Sequence, residues 1–536
     1  MAAPRPSRFA PLSIAVVMAA CASVPPETPP DMAAPYAAEV AARFPAPAVH
    51  YDTPAFAPGR QNFTSDEELA AALRAAATRA GAHARLVPLG TSQAGVPIEA
   101  IVFARADGVR RPRVMLVGQQ HGDEPAGSEA LIVVLRELAH GRLAPLLDKL
   151  DVAVLPRANP DGGAAGSRVS SSGLDINRDH LLLRTPEAQA IARLAREWSP
   201  ALVVDAHEYT VAGRYLGKFD AVQRYDLLFQ HATTANLPQP VVTASLQWFR
   251  PPLLQAIADA GLSTEWYYTT STNDADKRIS MGGVQPDTGR NVHGLRNAVS
   301  VLLETRGVGI GRWHFRRRVH THVVAHRSLL ESAARHAGAL LALQRDTGAD
   351  VAAQACRGDM TVLAAQTPTR RSLVFLDPRT GADKPIDVDW NSALELRTVR
   401  TRARPCGYWL APDAVDAVQR LRMLGVVVER FDEDAGLDGQ VWRETSRTET
   451  PRPDVRGTAS DAGATILNIS VALEPQRLPA PAGSHYVPLD QPLANMAIAA
   501  LEPDTQNSYF ANRLLPRLDA AARVTAPPAA KRSPVP

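Results

Sequence analysis

Three apolar runs, at 113–118, 201–205 and 298–303, each lead into residues that ligate metals or carry protons. The first enters Q-H-G-D-E-P, which holds His121 and Glu124. The second enters D-A-H-E, which holds His207, and the third ends on Glu304 in L-L-E-T-R-G. Short apolar runs alternating with helical patterns read as buried strands. An open α/β sheet binds its ligands at the carboxyl ends of such strands, where all four residues fall. The chain must therefore fold so that strands distant in sequence lie side by side.

Two imidazoles and one carboxylate hold a catalytic zinc and leave its fourth position open to water, which implies a hydrolytic centre. A further carboxylate, Glu304, is the proton carrier that such a centre needs. Only Gly122 and Asp123 separate His121 from Glu124, so a tight loop entering a helix can turn both toward one metal. Pro125 stands where a first helical residue belongs. H-x-x-E alone arises readily by chance. The zinc reading rests on its combination with His207 and Glu304 at strand ends.

The motifs resemble those of the zinc carboxypeptidases typified by carboxypeptidase A, and they run in that family's order. They are H-G-D-E at 121–124, N-P-D-G at 159–162, Arg168, D-I-N-R at 175–178, D-A-H-E at 205–208 and E-T-R at 304–306. The resemblance spans residues 60–345. It implies a mixed central sheet with helices on both faces and one zinc per chain held by His121, Glu124 and His207. It also implies Glu304 as general base, Arg168 polarising the scissile carbonyl, and Asn177 with Arg178 gripping the terminal carboxylate of a peptide. The chemistry agrees: a planar guanidinium matches a carboxylate through paired charge-assisted hydrogen bonds, and a developing oxyanion needs a fixed positive partner. There is one departure. The family's substrate-capping tyrosine has no counterpart between Thr269 and Glu304, and Tyr267 and Tyr268 lie further back. Gly282, Gly283 and Gly289 suggest a mobile or tightly turned loop there, with Arg290 or His293 facing the substrate.

The 536 residues leave room for two domains, and a formal charge of +3 argues against a nucleic-acid partner. Arg5 and Arg8 precede an apolar stretch at 9–20 that ends in V-M-A-A-C. This resembles a bacterial lipobox, with Cys21 carrying a lipid anchor; ordinary signal cleavage near Ala22 is the rival. Either reading predicts an extracytoplasmic protein, in the periplasm, on the outer membrane as a lipoprotein, or secreted. The expected layout is a signal peptide at 1–21 and a Pro/Ala-rich tether at 22–57. A catalytic domain at 58–345, a β-rich α+β domain at 352–525 and a disordered tail at 526–536 follow. Cys356 and Cys406 lie in the second domain, where oxidising conditions would permit a disulfide.

Periodicity and capping signals predict helices at 67–80 (capped by Thr64 or Ser65), 127–139, 186–198 and 322–345. Strands are expected at 84–89, 98–104, 114–117 and 152–155, then short β runs and a helix at 412–424 in the second domain. His322 and His326 have metal-binding spacing but no acidic residue nearby in sequence, and read as part of a solvated basic face. Two other functions remain open: an amidase on the same scaffold, acting on peptidoglycan stem peptides or N-acyl amino acids, and a non-catalytic binding lipoprotein. An intact ligand set and Glu304 argue against the latter.

Overall fold

The structure, a computed structural model, describes residue 1, residues 33–458 and residues 465–535. The signal segment and Cys21 lie outside the described residues. The central element is an eight-stranded mixed sheet. Its strands are β1 (Ala84–Thr91), β2 (Pro97–Phe103), β3 (Arg113–Gly118), β4 (Asp151–Leu155), β5 (Leu202–Thr210), β6 (Leu227–His231), β7 (Thr264–Trp266) and β8 (Val299–Val308). Their order across the sheet is β1-β2-β4-β3-β5-β8-β6-β7. The middle strands β4, β3, β5 and β8 run parallel, which puts the ends of the three apolar runs along one edge.

Strand periodicity sorts the side chains into two cores. Val114, Leu116, Val152, Val154 and Val204 face helices α1 (Asp66–Ala80), α2 (Pro125–His140) and α5 (Phe315–Arg335). Met115, Val117, Ala153, Leu155 and Val203 face α3 (Pro186–Trp198) on the other side. That second core continues without a break into Leu421, Ile498 and Leu501. The C-terminal region is therefore packed onto the catalytic sheet through a shared apolar interior. Helix α1 starts at a capping box: Ser65 Oγ accepts from Glu68 N–H, and Ser65 N–H donates to Glu68 Oε2.

Several expectations change. The helix predicted at 322–345 is two helices, α5 and α6 (Ala337–Ala353), divided at His336. The short β runs belong to long antiparallel ribbons, Asp359–Leu376 with Asp383–Ala403 and Ala435–Pro451 with Thr465–Ala480. Bulges interrupt both ribbons, breaking the alternation that would mark one long strand in sequence. The described part of the expected tether is fixed to the catalytic unit, with Val40, Phe44 and Ala55 buried and the Arg306 guanidinium 3.3 Å from the Phe44 ring centroid. In the expected tail, Arg532–Pro534 pairs with Glu429–Phe431 as an edge strand. Cys356 and Cys406 are joined in a disulfide. Among the described residues, no helix is long and apolar enough to cross a membrane.

Candidate metal centre and its cavity

Register explains the convergence. Glu304 on β8 lies beside His207 on the parallel neighbour β5, and β3, on the other flank of β5, ends just before the loop carrying His121 and Glu124. That loop is pressed against the N-P-D-G turn: a Cβ on Gly122 would fall 1.9 Å from the carbonyl carbon of Gly162. No other residue type fits there, so the two glycine-bearing motifs are halves of one contact. Asn159 shapes the turn by accepting from Gly162 N–H at 2.9 Å.

His121 Nδ1 and His207 Nδ1 each lie 2.8 Å from a different oxygen of Glu124. The donor atoms of these three buried residues all fall within 4.8 Å of one another. The two imidazole nitrogens are themselves 3.1 Å apart. The outer nitrogens are held from behind, His121 Nε2 by Asp175 and His207 Nε2 by Asp205, each at 3.0 Å. Such carboxylate partners fix ring orientation and turn the inner nitrogens toward a metal. Two imidazoles and a carboxylate, converging and buried, fit zinc with one coordination position left for the reaction. Against the cost of burial, His121 and His207 hold the Glu124 carboxyl well below the usual carboxylate range. Among the described residues this is the one grouping of side chains that converges in this way.

The centre opens into a cavity of about 160 Å³ lined by His121, Glu124, Arg168, Arg178, Tyr267, Arg290, Glu304 and Arg456, among others. Glu304 is 8% exposed, and burial, reinforced by the charge of Glu124, pushes its carboxyl up to about 7. Arg168 donates to Asp175 through Nε and Nη2, and its Nη1 lies 3.3 Å from Glu124 Oε1, beside the donor set. The Asn177 side chain is engaged by the protein: its carbonyl accepts from Gly289 N–H at 2.8 Å, and its amide nitrogen lies 3.1 Å from His207 Nε2. Arg178 is paired with Asp454, Nε to Oδ2 at 2.5 Å. Of the two residues proposed to face the substrate, Arg290 lines the cavity, whereas His293 packs edge-on against His180.

Two features escaped the sequence reading. Asp454 and Arg456 come from the tip of the ribbon formed by Ala435–Pro451 and Thr465–Ala480, where Pro453–Asp454 pairs with Gly457–Thr458. Arg456 Nη2 reaches to 3.5 Å from Asp175. No local pattern marks a contact between residues so distant in sequence. Tyr267 is the other. Burial and Glu304 push its phenol up to about 12, so it stays a hydrogen-bond donor at neutral pH. Its place in E-W-Y-Y is visible in sequence, but not that both tyrosines border the cavity. Tyr268 is fully buried, edge-on to Tyr215 and Trp390.

His322 and His326 correct the idea of a solvated basic face, since both are fully buried. His322 Nε2 lies 3.1 Å from the carbonyl of His207, and Arg318 beside them turns inward to pair with Glu208, Nη2 to Oε2 at 2.6 Å. Burial raises Glu208 to about 7 even with Arg318 opposing. Arg318→Ala should therefore destabilise the fold in a pH-dependent way, the share carried by the Glu208 carboxyl being about 1.4 kcal/mol at about pH 8, one unit above its value in the pair, and close to zero at about pH 5. Without the guanidinium Glu208 titrates higher still, so the folded variant holds a proton that the unfolded chain has lost. The deficit should be smallest at low pH and grow as pH rises through neutrality. Denaturant midpoints at about pH 5 and about pH 8 check both the size and the sign.

Residues 69–215 match the family described as zinc carboxypeptidase. Carboxypeptidase 2 of Trichophyton rubrum is 30% identical over 416 residues, covering 76% of this chain and 74% of that protein. Human carboxypeptidase D is 31% identical over 206 residues, covering 28% of this chain and 15% of that protein. Among solved structures, the metallo-carboxypeptidase from Burkholderia cenocepacia aligns with 51% of this chain and 69% of its own, at 18% identity and a TM-score of 0.39.

Proposed function

The chain belongs to the zinc carboxypeptidase family, and from that premise we propose that it removes residues from the C termini of peptides outside the cytoplasm, using one zinc per chain. The observation that carries this reading is the convergence of His121, Glu124 and His207 on one point, with Glu304 and a set of arginines lining the same cavity. Zinc bound there supplies a Lewis acid that acidifies water and polarises the scissile carbonyl. The rest is done by the chain. Glu304 takes the proton of the attacking water and returns it to the leaving amine. Burial raises its carboxyl above the ordinary carboxylate range, which suits it to give the proton back as well as to take it. Arg168, fixed by Asp175, faces the negative charge that develops on the carbonyl oxygen. Tyr267 stands where it can donate to the substrate, in place of the tyrosine that the 269–304 loop lacks.

Arg178 is the proposed clamp for the terminal carboxylate. Asp454 now pairs with it, so an incoming carboxylate exchanges one anion for another on the same guanidinium. Asn177 supports the clamp through its neighbours: it fixes Gly289 and approaches His207. The disulfide between Cys356 and Cys406 supports work in an oxidising compartment.

This reading is tested by where the enzyme cuts. A peptide with a free C terminus should have a kcat/KM on the order of a hundredfold above that of its C-terminal amide, because an uncharged amide cannot replace the Asp454 carboxylate on Arg178 and forgoes the charge-assisted pair. Arg178→Ala should reduce the ratio toward one by making the free acid as poor a substrate as the amide. A wild-type ratio near one would reject the exopeptidase reading and leave an amidase standing.

A further inference from the structure

We infer that Arg290 makes the site selective for peptides ending in an acidic residue, its guanidinium receiving the side-chain carboxylate of the residue to be released. The inference rests on the carboxypeptidase reading above and names its substrate class.

The cavity's other deep arginines already have carboxylates. Arg168 is on Asp175 and Arg178 on Asp454, and Arg456 reaches both of those acids. Arg290 differs. It is 3% exposed, donates through Nη2 to the carbonyl of Gly283 at 2.7 Å, and has no hydrogen-bond partner at Nε. Among the described residues it forms no ion pair. The nearby Asp287 is engaged by Arg452 and Asn507. A buried cation without a counter-ion is costly unless an anion joins it. Burial brings Arg290 down to about 10, which leaves it charged at neutral pH.

The position is built rather than incidental. Helix α4 (Gly289–Gly294) carries Arg290 at its start. The loop facing it is pinned by Asn291, whose Nδ2 donates to the carbonyls of Gly283 and Gln285. Gly282 N–H is bound by Gln230 Oε1 at 3.0 Å. Gly282 itself leaves the space: a Cβ there would come within 2.7 Å of Arg290 Nη2 and 2.8 Å of Nη1. Arg290 lines the same cavity as Glu304 and the donor set, so the side chain of the residue to be released can extend toward it from a bond held at the metal. A carboxylate on that side chain would meet a planar donor group with an unused N–H.

The test is the kcat/KM of zinc-loaded enzyme for peptides identical but for a C-terminal Glu, Gln, Leu or Lys. Glu and Gln share a shape, so their ratio isolates charge. Wild type should favour Glu over Gln by roughly tenfold to a hundredfold, the range for a hydrogen bond to a charged group. Arg290→Gln should bring the ratio near one, with zinc content and thermal unfolding at wild-type values showing an intact fold. Gly282→Ala keeps the charge but pushes the guanidinium aside, and should give an intermediate ratio. It decides the matter should Arg290→Gln fail to fold: a full wild-type ratio in that variant overturns the proposal. A wild-type ratio near one, a preference for Leu or Lys, or a ratio that survives Arg290→Gln also overturns it while leaving the exopeptidase reading intact. An enzyme that cleaves none of the four free acids removes both.

Discussion

Glu304→Gln should keep its zinc and its affinity for peptide while turnover falls by roughly 10²–10⁴-fold. The amide retains the shape of the carboxyl but cannot take a proton from water. Removing a group that acts only in the transition state lowers kcat and leaves binding nearly unchanged. The donor set on β5 and the 121–124 loop is untouched, because Glu304 lies on β8 and makes no part of it. Steady-state kinetics with metal analysis of the same preparation separates this outcome from simple loss of metal. Near-native turnover would show that another group carries the proton, and Tyr267 would be the first to examine.

His207→Ala should lose both metal and activity. With His121 and Glu124 alone, zinc has two protein ligands, below the three that a catalytic site supplies. The change also strands Asp205, whose carboxyl now holds His207 Nε2 and accepts from Gln120. Metal content should drop to a small fraction of wild type, and peptide hydrolysis to background. A chelator should do the same to the wild-type enzyme, and added zinc should restore wild type but not the variant. Full metal occupancy in His207→Ala would refute the ligand assignment.

The site was legible in sequence to the extent that it is made of local pieces. H-G-D-E is a single loop, and the capping proline and following helix were visible beside it. Asp175 and Asp205 lie in motifs already recognised, yet their hold on the histidines needed coordinates, since nothing in D-I-N-R or D-A-H-E says which ring nitrogen each acid meets. The misreading of His322 and His326 has a related cause. R-R-R-V-H-T-H-V-V-A-H is charged enough to suggest solvent, but a helix packed over a sheet can draw its arginines inward when buried acids such as Glu208 wait for them. The bulged ribbons were seen as fragments because each bulge resets the alternation by which a strand is recognised.

The sequence by itself determined the zinc carboxypeptidase family to which the chain belongs and the α/β framework that carries the converging His121, Glu124 and His207. Ligands at the ends of apolar runs leave few arrangements, since strand period and loop geometry act over a handful of residues and are written in their order. Only the tertiary structure decided what surrounds those residues. The ribbon tip that sets Asp454 on Arg178, the placing of Tyr267 in the cavity beside Glu304, the Arg290 guanidinium whose Nε has no hydrogen-bond partner among the described residues and the core shared with the C-terminal region all depend on segments far apart in the chain. Such contacts depend on the packing of the whole, which balances burial, charge pairing and space at once, and no short stretch of residues encodes that balance.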